Sequence, residues 1–173
     1  MVGSSKGENS QKGRPILKDE FVKAIIDSSK QIPKSKKDPF RMTDNNGNRR
    51  ASIDLICPHY EVKMGIRQAL DDSLDFSVLL IYTDANGRTY ILRRYNGDHG
   101  KHTDPITSEI IRGPHIHMIT EECQHKTHKD ECHAEATDRY HTLEQAIGVF
   151  MKDMNIHHEM GKDQTRITNS SRW

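Results

Sequence analysis

Long apolar runs are missing from this chain of 173 residues: nowhere do about 18 apolar residues follow one another, so no membrane-spanning helix is expected. The amino-terminal MVGSSKGENSQKG also lacks the apolar centre of a secretory signal, and the chain reads as soluble and cytoplasmic. Cysteine is scarce. Cys57, Cys123 and Cys132 are an odd number without framework spacing, which fits a reducing compartment, and disulfides are not expected. Aromatic residues make up only 6% of the chain, and only Phe40 interleaves with the basic residues between positions 30 and 50, so stacking on nucleic-acid bases is not indicated there. There is no phosphate-binding glycine loop, no dinucleotide fingerprint and no serine or cysteine nucleophile motif.

Charge and histidine are abundant. Residues 1–56 hold 12 Lys and Arg against 7 Asp and Glu, and residues 121–160 hold 4 against 9. The net charge of +1 therefore hides a basic first third, which can meet an anionic partner, and an acidic later stretch. Four of the eleven histidines lie between His99 and His117, where Gly113-Pro114 opens a His-x-His run. Along a strand, residues two apart share a face, so His115 and His117 point one way while Ile116 and Met118 point the other.

Length fits a single domain over 17–156, between a disordered tail at 1–16 and a flexible tail at 157–173. Leu17, Phe21, Val22, Ile25 and Ile26 recur at helical spacing and predict a helix over about 17–31, ended by Pro33. The run PKSKKDPFRMTDNNGNRR reads as a connecting loop with six basic residues. Alternating residues predict strands over 50–57 and 60–67, and FSVLLIYT and RTYILRRY predict a hairpin around Asp84-Ala85-Asn86-Gly87. A long loop over 96–113 leads into the His-x-His strand at about 114–120, and a second polar loop follows. Thr142 to Gln145 reads as a capping box for a helix over 142–154, with Leu143, Ala146, Ile147, Phe150, Met151 and Met154 on one face. The expected fold is α+β: an antiparallel five-stranded meander-like sheet with an N-terminal and a C-terminal helix packed on one face.

The stretch RRYNGDHGKHTDPITSEIIRGPHIHMITEE, with its preceding hairpin and a closing helix ending FMKDMNI, resembles a family of uncharacterised bacterial and phage proteins known only as a domain of unknown function. The likeness spans roughly residues 50–156 and rests on Arg93, His102, Pro105, Pro114, His115, His117, Asn155 and Ile156. The chain departs from that pattern after Thr120, where EECQHKTHKDECHAE replaces the aromatic residues usual in the family. More remotely, a His-ended strand on a small antiparallel sheet is similar to the ribonuclease toxins of toxin–antitoxin pairs, which implies a toxin or phage–host conflict setting.

Three constellations carry chemistry. His102, His115 and His117, with Arg93 or Arg94 on the neighbouring strand, match the needs of metal-free RNA cleavage: a base for the 2′-OH, an acid for the leaving oxygen and a cation for the phosphate. The same histidines could instead ligate zinc or iron, with Asp104, Glu121 or Glu122 adding an oxygen. His115-x-His117-x₃-Glu121 echoes half of a cupin metal motif, without its flanking glycines and without the second half. A further zinc set is Cys123, His125, His128, Cys132 and His133, which lacks the paired Cys-x₂-Cys knuckle; a solvated loop is the simpler reading of that acidic stretch. The leading expectation is a phosphodiesterase acting on RNA. Its rival is a non-enzymatic phage or mobile-element binding module that occupies a host or defence protein, with structural or zinc-binding histidines; the expected partner is RNA or a host or antitoxin protein. No membrane partner is expected, and a homodimer is compatible with either reading.

Overall fold

The computed structural model describes residues 14–35, 37–127 and 129–159. In chain order the elements are α1 (Asp19–Asp27), β1 (Lys30–Gln31), β2 (Thr43–Asn45), β3 (Asn48–Leu55), β4 (Glu61–Ala69), β5 (Phe76–Thr83) and β6 (Thr89–Asn96). There follow β7 (His102–Thr103), β8 (Ile110–Ile111), β9 (His115–Met118), α2 (Glu121–Thr127), β10 (His133–Ala136), α3 (Leu143–Asp153) and β11 (Ile156–His157). The α+β class is as the residue pattern implies. The sheet, however, has seven strands rather than five, in the order β10-β9-β6-β5-β4-β3-β2, all antiparallel.

The five expected strands form the middle of that sheet, and one short strand is added at each edge. At one edge, Asn46 and Gly47 both take positive φ, 46° and 75°, and close a tight turn between β2 and β3 inside the stretch that reads as a loop. At the Asp84–Gly87 turn only Gly87 has positive φ; the Asp84 carboxylate accepts the N–H groups of Asn86 and Arg88 instead. At the other edge, the acidic stretch after Thr120 folds as α2 and β10, and β10 pairs with β9. The chain thus meanders in sequence order except for the excursion of residues 97–114, which carries the small β7–β8 ladder.

One face of the sheet is apolar. Ile53, Met64, Val78, Leu80, Leu92 and Tyr95 meet Val22 and Ile25 of α1 and Ala146 and Phe150 of α3 in one buried core. Helix α1 is shorter than its apolar spacing suggests, because Lys30 and Gln31 leave it to pair with β11. The fully buried Lys30 ammonium explains the change: it donates to the carbonyls of Ile26, Ser28 and Met154, satisfying carbonyl groups at the ends of α1 and α3 together. Helix α3 begins with the expected capping box of Thr142 and Gln145. Helices α1 and α2 cap one another, Glu121 accepting from the Asp19 N–H and Asp19 from the Glu121 N–H.

Packing begins before Leu17: Arg14 pairs with Asp130, and the Pro15 carbonyl accepts from the Tyr90 hydroxyl. It also reaches His157 in β11, so the boundaries expected at 16 and 157 fall within packed chain. Residues 1–13 and 160–173 lie outside the described residues, as do Lys36 in the basic loop and His128 of the second zinc set. Among the described residues no helix is long and apolar enough to cross a membrane.

Candidate functional site

Register places the site on the other face of the sheet. His117 lies opposite Arg94 of β6, which lies opposite Leu79 of β5; two residues along, His115 lies opposite Asn96, and Asn96 opposite Ser77. The two histidines therefore share a face, as alternation predicts, with Arg94 and Asn96 beside them. A bulge makes this arrangement. Leu80 pairs with Arg93 and Ile81 with Ile91, so Leu92 is an extra residue and the parity of β6 changes there. Beyond the bulge Tyr95 enters the core and Arg94 turns to the histidines. Arg93 stands opposite Met118, on the other face, and donates to the Leu92 carbonyl. Of the two expected arginines, then, only Arg94 joins the cluster.

Residues 97–114 form the cover. Gly97 permits the first turn: a Cβ there would sit 2.1 Å from the Leu74 carbonyl oxygen and 2.6 Å from the Phe76 ring. The fully buried Asp104 carboxylate then pins the excursion. One oxygen accepts the N–H groups of Ile106 and Thr107, at 2.7 and 2.9 Å, and the other accepts Ala134 N–H at 2.7 Å and His133 Nδ1 at 2.9 Å. Burial pushes this carboxyl up, but the three backbone donors and His133 outweigh it and hold the group at about 2. Asp104 so fastens the β7–β8 ladder to the free edge of β10.

Pinned there, His102 lands on the pair from β9. Its ring is nearly parallel to that of His115, 5.5 Å away between centroids, and meets His117 edge-on at 4.5 Å. His99 approaches His115 at 5.0 Å. His115 is 0% and His117 7% exposed. The Gly113 carbonyl, 2.8 Å from His115 Nδ1, can only accept, so that nitrogen carries the proton; Nε2 keeps its lone pair, 3.3 Å from the Asn96 amide. His102 Nε2 and His117 Nδ1 are buried without a hydrogen-bond partner.

Burial disfavours the charged form of all three imidazoles. Burial, with the neighbouring His115, His102 and Arg94, pushes His117 down to about 3. Burial also lowers His102 and His115, against small opposing effects of Asp104 on the first and the Gly113 carbonyl on the second. None of the three has a carboxylate in contact to hold a proton on it. Beside them, Arg94 pairs with Glu131, whose side chain is 12% exposed. Burial raises that carboxyl to about 7, and Asp130 adds to the rise, together exceeding the pull of Arg94.

The alternative ligand sets fare differently. Among the described residues, His102, His115 and His117 are the one group of three whose ligand atoms all lie within 4.8 Å of one another. The oxygen ligands weighed with them are engaged elsewhere: Asp104 as described, Glu121 with Lys18 and the Asp19 N–H, and Glu122 with Lys126. The described members of the second set do not come together as a ligand group. Cys123 of α2 and Cys132, just before β10, are joined as a disulfide, contrary to the expectation from an odd cysteine count, because the return of the chain brings their Cα atoms to 5.6 Å. His125 is exposed on α2 and His133 is held by Asp104. Cys57 is free.

Asn96, Asp104 and Glu131 are absent from the catalytic set read from sequence. From sequence Asp104 reads only as a metal ligand, yet an acid two residues after a histidine in a long loop is the visible signal. Glu131 carried no signal, since a carboxylate in an acidic stretch looks solvated.

The molecule is thus an antiparallel α+β protein with a buried histidine cluster under a loop. No known family model matches the chain, and searches of curated proteins and of solved structures find no match. No residue role is therefore carried over from another protein, and the site rests on its own geometry.

Proposed function

We propose that the chain cleaves phosphodiester bonds at the histidine pocket, with RNA as its substrate. The observation that carries this reading is the meeting of three imidazole lone pairs with the Arg94–Glu131 pair on one wall under a loop. Transfer of RNA's phosphate to its own 2′-oxygen removes the hydroxyl proton, breaks the bond to the 5′-oxygen and returns a proton there. The reading differs from a two-histidine acid–base pair, because a neutral imidazole can accept a proton but its own N–H is far too weak an acid to protonate the leaving oxygen. Arg94 meets the phosphate charge, and Glu131, titrating near neutrality, exchanges the proton. Lys101 and Arg112 are exposed on the covering loop, and Lys129 lies near enough to His102 to lower its pKa, so the rim favours an anionic substrate.

One observation favours a second reading, a binding module that engages a host or antitoxin protein: the fully buried His115 and nearly buried His117 are shielded as structural residues are. An RNA-cleavage assay separates the two. With folding checked by circular dichroism, Arg94→Ala and His117→Ala are each expected to lower cleavage at least about a hundredfold. Wild-type protein that leaves RNA intact, or variants that cut as well as wild type, overturn the enzymatic reading.

A further inference from the structure

We propose that His102, His115 and His117 bind one divalent ion of the zinc class. The argument begins with lone pairs. Two buried ring nitrogens, His102 Nε2 and His117 Nδ1, have no partner, although buried polar atoms are nearly always paired. The third, His115 Nε2, has only the Asn96 amide at 3.3 Å. The other nitrogen of His115 is anchored on the Gly113 carbonyl, the arrangement that fixes a ligating imidazole's tautomer and aims its lone pair.

The donor set selects the ion. Three imidazoles without a carboxylate suit zinc and its late first-row neighbours, whereas magnesium and calcium need oxygen. Zinc–nitrogen bonds of about 2.1 Å put tetrahedral ligands about 3.4 Å apart. The three ligand atoms, all within 4.8 Å, close that gap by side-chain rotations of at most about 1.5 Å. An ion there satisfies both orphaned nitrogens, replaces the long Asn96 contact and leaves a fourth position. It also turns an otherwise unfavourable clustering of neutral imidazoles into a reason for the loop to close. A bound ion of this class supplies Lewis acidity to a phosphate oxygen or water. That chemical role rests on the phosphodiesterase reading, but the binding itself does not.

The test is to strip the full 173-residue chain with chelator and titrate it with zinc alone, and separately with cobalt(II), whose visible absorption reports tetrahedral nitrogen ligation. Wild type is expected to bind one equivalent and to melt at a higher temperature when loaded. His102→Ala, on the covering loop, keeps the sheet intact and is expected to weaken zinc more than about tenfold and to abolish the cobalt spectrum, as is His117→Ala. His125→Ala, on the exposed face of α2, is expected to bind as wild type does. No binding by wild type overturns the proposal. Binding that survives both His102→Ala and His117→Ala overturns it too, and its loss in His125→Ala then places the ion on the Cys123–Cys132 segment. Stripped protein that cuts RNA as well as loaded protein overturns the ion's chemical role alone, while metal binding without cleavage overturns the phosphodiesterase reading alone.

Discussion

The sheet is covered on its two faces by different means, and its chemistry lies under only one of them. Helices α1 and α3 cover the first face, and along its middle turns a helix needs only apolar contact from its neighbour, since those backbone groups pair internally. That side is accordingly packed with Met64, Val78, Leu80 and Phe150. The polar atoms that do enter, such as the hydroxyls of Tyr95 and Tyr140, end on Asp153 and on the carbonyls of Asn96 and His115. An irregular loop covers part of the second face. Its backbone has no ladder of its own beyond β7–β8, so polar groups must accompany it inside, and Asp104 supplies acceptors to four N–H groups at once. A loop cover thus needs polar side chains along its length, whereas on the helix side the buried ammonium of Lys30 serves only the helix ends.

Breaking each cover separately tests the contrast, beginning with the largest effect. Phe150→Ala removes a fully buried ring from the helix side and is expected to cost about 3–5 kcal/mol in chemical denaturation, while zinc stoichiometry is unchanged. Asp104→Ala leaves buried donors without acceptors on the loop side. It is expected to cost about 3 kcal/mol, and unlike Phe150→Ala it also weakens zinc binding, because His102 loses its anchor.

Acid sharpens the comparison further. His117, at about 3 when folded against about 6.5 when unfolded, contributes stability that is complete above pH 6.5 and is lost as the pH falls toward 3. It adds a slope of up to about 1.4 kcal/mol per pH unit in that window, and Asp104 extends the loss toward pH 2. Urea melts of metal-free protein between pH 7.5 and 5 are expected to show this slope in Phe150→Ala and a shallower one in His117→Leu. The smallest effect is that of His102→Ala. Metal-free, its stability is expected to lie within about 1 kcal/mol of wild type, since the substitution removes a buried nitrogen that had no partner.

Much of the first face was legible from residue order alone. The alternation of Val62, Met64 and Ile66, the apolar run of β5 and the Thr142–Gln145 box carry local signals that long-range contacts reinforce. The shared face of His115 and His117 was legible for the same reason, since a two-residue period is a property of the backbone. The Asn46-Gly47 turn was legible in principle, but its flanks Thr43–Asn45 and Asn48–Arg50 are polar and show no apolar alternation. Helix α2 and β10 were not, because polar residues hide an element whose stability comes from Gln124 bonding the Leu17 backbone and from pairing with β9.

Sequence by itself therefore determined the antiparallel meander, the capped last helix and the common direction of two histidines, because each follows from local periodicity or from a turn. Tertiary structure decided the rest of the site. Only the extra residue at Leu92 chose Arg94 over Arg93, since parity along β6 depends on pairing with β5. Only the grip of Asp104 on β10, thirty residues away along the chain, brought His102 to His115 and His117. Contacts between residues distant in sequence leave no period to read, and it is through such contacts that the pocket closes.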